Sequence, residues 1–84
     1  MATDLIQRAA AICGYPFTPN SDQLAAWLAT RATCVQVRYD PHVPAPRWMV
    51  EMPGRRWGWF CATLLDALAA AVVEVDRIER EAAK

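Results

Sequence analysis

Thr63-Leu64-Leu65-Asp66-Ala67-Leu68-Ala69-Ala70-Ala71-Val72-Val73-Glu74-Val75-Asp76-Arg77-Ile78-Glu79-Arg80-Glu81-Ala82 is the stretch on which the architecture turns. Thr63 is a good helix N-cap, and Asp66 three residues later makes a weaker form of the capping box. Leu64, Leu68, Ala71, Val75 and Ile78 recur at steps of four and three residues, and Leu65 and Val72 widen that stripe. The spacing predicts one helix over Leu64–Ala82, roughly 28 Å long at 1.5 Å per residue. Asp76 with Arg80 and Arg77 with Glu81 form i, i+4 pairs on its wet side. A helix of this length needs an apolar surface to lie on. It also overhangs a small sheet, and the overhang offers a route to a homodimer.

The surface it needs is written just upstream. Residues 34–40 alternate, with Val35, Val37 and Tyr39 facing one way and Cys34, Gln36 and Arg38 the other. Residues 47–52 alternate again, with Trp48, Val50 and Met52 on one face and Arg47, Met49 and Glu51 on the other. Between them, Pro41, Pro44 and Pro46 make a loop too poor in N–H donors to join a sheet. Pro53-Gly54-Arg55-Arg56 reads as a hairpin turn leading to a third strand at 57–60. A two-residue Gly54-Arg55 loop sets Met52 opposite Trp57 and Val50 opposite Trp59, which puts both tryptophans on the core face. A shift of one residue turns them outward.

Two shorter helices precede the strands. Over 3–13, Leu5, Ile6, Ala9, Ile12 and Cys13 share one face, with Thr3 or Asp4 as the cap and Gly14 and Pro16 as the stop. Tyr15-Pro16-Phe17-Thr18-Pro19 is a connector whose rings are expected to cover the core edge. A second helix follows over 21–31, capped by Asn20 or Ser21, with Leu24, Trp27 and Leu28 inward. The fold expected is therefore a single α+β domain: two short helices, a three-stranded antiparallel sheet, and a long final helix on one sheet face.

Composition bounds what such a domain does. At 84 residues there is room for one thin core. With 55% hydrophobic and 21% charged residues the chain is not of the disordered class. Nine basic residues balance nine acidic ones, so no net field draws the chain to nucleic acid or an anionic membrane. The longest apolar run, 67–73, is far short of a membrane span, and no basic segment leads into an apolar one at the N-terminus. A cytoplasmic location is expected.

Catalytic chemistry finds little footing. Cys13, Cys34 and Cys61 are spaced too widely for the paired ligands of a structural zinc site, and His42 is the one histidine available to join them. Reduced, packed thiols are expected, with no metal and no cofactor. Cys61 precedes the last helix, a position that lowers a thiol pKa. Cys34 or Cys61 could be forced into a Cys-His pair with His42, but the local sequence offers no support for one. Glu51 reads as half of a surface ion pair with Arg38 or Arg47, and the three glycines are too scattered for a phosphate loop. An enzyme is not expected.

Charge and aromatic residues cluster instead. Residues 34–61 hold four arginines against two acids, a balance of +2, while 62–84 hold three bases against five acids, a balance of −2. Arg38, Arg47, Arg55 and Arg56, with Trp57, Trp59 and Phe60, form the candidate partner-binding set. Arg and Trp dominate interface hot spots, so a protein partner is the first reading. Stacking of bases on the same rings is the second. Lys84 is the only lysine and four arginines neutralise few phosphates, which weighs against nucleic acid.

Trp48-Met49-Val50-Glu51-Met52, then Gly54-Arg55-Arg56-Trp57-Gly58, then Thr63-Leu64-Leu65-Asp66-Ala67-Leu68 resembles the small phage and prophage proteins of the "ABA sandwich" kind. The likeness covers about 34–75. It implies a non-catalytic protein that binds and inhibits host machinery, as anti-CRISPR proteins do, with a bacterial protein complex such as a CRISPR effector as the partner. It implies no particular site residues.

Overall fold

A computed structural model describes residues 2–31, 36–42, 44, 47–51 and 58–83, with the backbone alone at 2–3 and 58–60. Three helices and an antiparallel sheet follow in the order α1 (Ala2–Cys13), α2 (Ser21–Ala29), β1 (Gln36–Tyr39), β2 (Trp48–Glu51), β3 (Gly58–Cys61) and α3 (Leu64–Ala82). β2 is central in the order β1-β2-β3. β1 meets it as Gln36↔Glu51, Val37↔Val50, Arg38↔Met49 and Tyr39↔Trp48. β3 meets it as Trp48↔Cys61, Met49↔Phe60, Val50↔Trp59 and Glu51↔Gly58. The expected pairing of Val50 with Trp59 is therefore present. The turn at 53–56 and the pairing of Met52 with Trp57 lie outside the described residues.

The long helix has the bounds its spacing predicts, and the Thr63 hydroxyl accepts the Asp66 N–H at 3.1 Å. Its surroundings differ from the expectation of one dry stripe and one wet side. All nine residues from Ala67 to Val75 are buried. Ala67, Ala70 and Ala71 pack toward the sheet with Val37, Trp48, Val50 and Cys61. Leu65, Leu68, Ala69 and Val72 pack the opposite way, onto Leu5, Ile6, Ala9 and Ile12 of α1 and Leu24, Trp27 and Leu28 of α2. So α3 is a middle layer, with the sheet on one side and α1 and α2 on the other. Alanine makes this possible, because a methyl group lets neighbouring backbones come close from every direction. Alanine also adds little to a hydrophobic periodicity, which is why the second stripe was not evident.

The N-terminal helices show three smaller differences. α1 begins at Ala2, so Thr3 and Asp4 lie inside its first turn, where Asp4 favours the helix dipole. Gly14 ends it at φ +84°, the left-handed geometry a C′ glycine supplies. α2 is capped by Asn20 in a full capping box with Gln23, and it stops at Ala29, short of Arg31. Its last turn tightens into i→i−3 bonds from the Thr30 and Arg31 N–H groups to Trp27 and Leu28, and the Thr30 hydroxyl donates to the Trp27 carbonyl. The freed Arg31 side chain lies 4.0 Å over the Trp27 ring and reaches Glu79 of α3.

Strand bounds shift by a residue or two. β1 begins at Gln36, and Cys34 and Val35 of the expected strand lie outside the described residues. β3 runs to Cys61, one residue beyond the expected end, and Trp57 lies outside the described residues.

Candidate functional site

The sheet divides the candidate residues by strand alternation. Val37, Tyr39, Trp48, Val50 and Cys61 share the face turned toward α3, and Gln36, Arg38, Met49 and Glu51 share the other. Burial along the first face is uneven. Val50 is almost fully buried, Trp48 is half-buried, and Tyr39 is 48% exposed. α3 crosses β2 and β3 more fully than β1, so the far end of β1 lies past its cover.

That end gathers an aromatic and cationic cluster. The Tyr39 ring meets Trp48 edge to face, with centroids 5.1 Å apart. Arg47, exposed at the start of β2, donates from Nη1 to the Tyr39 hydroxyl at 3.4 Å. The Asp40 N–H closes this end by bonding the Arg47 carbonyl at 2.9 Å, and the Asp40 carboxylate accepts the His42 N–H. His42 is exposed. On the opposite face Arg38 donates from Nη2 to Glu51 at 2.6 Å and to the Met49 sulfur at 4.0 Å. This is the ion pair the sequence suggested for Glu51.

Of the seven residues read as partner-binding, Arg38 and Arg47 are exposed on β1 and at the edge of β2. By register both belong to the face of Met49 and Glu51, and the Arg47 side chain reaches back to the Tyr39 hydroxyl. Trp59 and Phe60 are placed by backbone register only, opposite Val50 and Met49. Arg55, Arg56 and Trp57 lie outside the described residues. Trp48 packs against the α3-facing core as its alternation implies, whereas Tyr39, on the same face, is half-exposed. The charge balance of the described cluster is even, because Asp40 and Glu51 offset Arg38 and Arg47.

A concavity lies between α1 and the 15–18 connector. It is a groove of about 330 Å³ walled by Ile6, Ala10, Tyr15 and Phe17. Tyr15 and Phe17 touch each other at 5.3 Å, and Tyr15 donates to the Gln23 carbonyl. Phe17 is 50% exposed, so it does not cover the core edge as expected; the buried residue of this connector is Pro19.

The thiols depart from the expectation that a helix N-terminus activates Cys61. Cys61 is the last residue of β3 and half-buried against Ala67, Ala70 and Ala71. Burial raises its pKa, and the nearby Asp66 carboxylate raises it further. Burial raises the Cys13 pKa too, against a smaller lowering by Arg31. Both thiols hold less thiolate at neutral pH than a free cysteine. Among the described residues no three His, Cys, Asp or Glu side chains come together to hold a metal ion. Among them, too, no helix is long and apolar enough to cross a membrane. No protein-family model, curated protein or solved structure matches the chain.

Proposed function

We propose that the chain is a non-catalytic binding protein whose partner is another protein, met at the β1–β2 end through Tyr39, Trp48 and Arg47. The observation that carries this reading is Tyr39. Its ring is half-exposed, held edge to face on Trp48, and tied at its hydroxyl to Arg47. Tyr, Trp and Arg in contact, with the rings already ordered, are the side chains that lose least entropy on binding and contribute most to interface hot spots. The even balance of Arg38 and Arg47 against Asp40 and Glu51 favours a protein over a phosphate backbone, which calls for unbalanced cations. The resemblance of the strand-turn-helix stretch to phage proteins supports the narrower form of the proposal: an inhibitor of a bacterial protein complex such as a CRISPR effector.

The test is recovery of tagged chain from bacterial lysate, with and without nuclease, beside the variant Tyr39→Ala with Arg47→Ala. The expected result is a stoichiometric protein that survives nuclease. The double variant should bind it roughly 30-fold or more weakly, the effect of losing one hot-spot group of about 2 kcal/mol. Its melting temperature should fall only slightly. Nucleic acid as the sole companion, or full retention of the protein by the double variant, would overturn the proposal.

A further inference from the structure

The hydrogen-bond phase of the β1–β2 ladder fixes what the outer edge of the sheet presents. Asp40 and Arg47 continue the β1–β2 register, and the Asp40 N–H bonds the Arg47 carbonyl. Antiparallel pairs alternate between bonded and non-bonded, so Arg38↔Met49 and Gln36↔Glu51 are bonded pairs, while Tyr39↔Trp48 and Val37↔Val50 are not. The close Tyr39–Trp48 ring contact agrees, since non-bonded pairs bring side chains nearest. The backbone N–H and C=O groups of Val37 and Tyr39 therefore point away from β2. Among the described residues no strand lies on that side and no backbone group bonds them.

We infer that the outer edge of β1 receives an extended segment of the protein partner as a fourth strand, with an acidic residue set between two apolar ones. This rests on the protein-binding reading above and names the form the partner takes there. Val37 and Tyr39 would exchange bonds with two residues of the incoming strand, two apart. Those two residues fall on the α3 side of the sheet, beside half-buried Val37 and the exposed part of Tyr39, and so are apolar. The residue between them falls opposite Arg38. The Arg38 side chain is 58% exposed, and its bonds to Glu51 and Met49 both leave from Nη2. A guanidinium has donors on its other nitrogens as well, and these suit a carboxylate across the strand.

Charge also separates this occupant from a second copy of the chain. An antiparallel self-pairing that uses both Val37 and Tyr39 sets Arg38 directly opposite Arg38, and like charges in facing positions oppose pairing.

The test uses the whole chain and two capped synthetic peptides, one alternating valine with glutamate and the other valine with lysine. Amide exchange is followed residue by residue. Without peptide, the Val37 and Tyr39 amides should exchange freely while the Arg38 amide is protected. The glutamate peptide should slow both, and should bind roughly three-fold to five-fold more tightly than the lysine peptide. Arg38→Glu should reverse that preference. A glutamate peptide N-methylated at the groups facing β1 should bind roughly ten-fold more weakly. Protection of Val37 and Tyr39 before any peptide is added would overturn the inference. So would unchanged exchange at millimolar peptide, or equal affinity for the two peptides. A protein partner lost with Tyr39→Ala but not displaced by the glutamate peptide would overturn the edge and leave the binding reading standing. Absence of any protein partner would overturn both.

Discussion

The middle of α3 and the strand β1 are both parts of one small fold, yet they meet water in opposite ways. Nine consecutive residues of α3 are buried, including a glutamate, whereas along β1 only Val37 is even half-buried. α3 is covered from two sides because its alanines let both layers approach. β1 is covered on one face and paired on one edge. The difference divides the molecule: burial concentrates around α3, and the proposed partner-binding groups lie at the β1–β2 end. Substitutions should therefore separate cleanly into those that unfold the chain and those that change only what it binds.

The largest break is expected at Leu24, which is fully buried between α1, α2 and α3. Leu24→Ala should cost about 2–5 kcal/mol. A chain of this size holds only about 4–13 kcal/mol in all, at about 0.05–0.15 per residue. Urea unfolding followed by tryptophan fluorescence measures the loss, and the folded fraction should still bind as the parent does. Next comes crowding of the middle layer. Ala70 is fully buried on the stripe facing the sheet, so Ala70→Leu should cost about 1–3 kcal/mol by overpacking. Ala26, exposed on α2, is the control, and Ala26→Leu should leave the unfolding midpoint almost in place. Equal tolerance at both alanines would remove the claim that α3 is packed from two sides.

Much of this arrangement can be read in the residues themselves. The bounds of α3 follow from Thr63 and the leucine and valine spacing. The end of α1 follows from Gly14. The pairing of Val50 with Trp59 follows from counting across the Gly54 turn. These are local signals, each with its own hydrogen bonds or backbone angle. Burial of α3 all round was not legible, because alanine is small enough to lie in a core or on a surface and marks neither. The exposure of Tyr39 was not legible either. Alternation tells which face a strand residue is on, but not how far the covering helix extends over it. Tyr39 shares a face with Val37 and yet lies past the cover. Arg38 and Arg47 were legible as exposed cations, but not that Arg47 reaches the Tyr39 hydroxyl.

A smaller effect tests the one charge drawn into the buried stretch. Glu74 Oε2 accepts a hydrogen bond from Arg77 Nε at 2.9 Å and lies 2.8 Å from Nη2 in an ion pair. The hydrogen bond to Glu74 is the main cause that raises the Arg77 pKa. Arg77→Met leaves the carboxylate without that partner and should lower the urea midpoint of unfolding. Glu74→Met together with Arg77→Met should recover most of the loss, since an apolar pair has no charge to desolvate. The second partner of Arg77, Glu81, is well exposed and adds little.

The smallest effect is the most discriminating, because it sets two Arg–Glu pairs against each other. Arg38 and Glu51 approach to 2.6 Å, closer than the 2.8 Å of Arg77 and Glu74. If distance decided, the pair on the sheet would matter more. What decides is solvent: the Glu51 side chain is 33% exposed and the Glu74 side chain 8%. Water and salt screen the first pair and compete for its bonds, while the second has little alternative to its partner. Glu51→Gln should therefore change stability by no more than about 1 kcal/mol, and less as salt rises. Unfolding midpoints at low and high salt measure this. A loss at Glu51 as large as that at Arg77 would mean that the Arg38 face is as dry as the heart of α3. The division between a stabilising helix and a receptive strand would then fail.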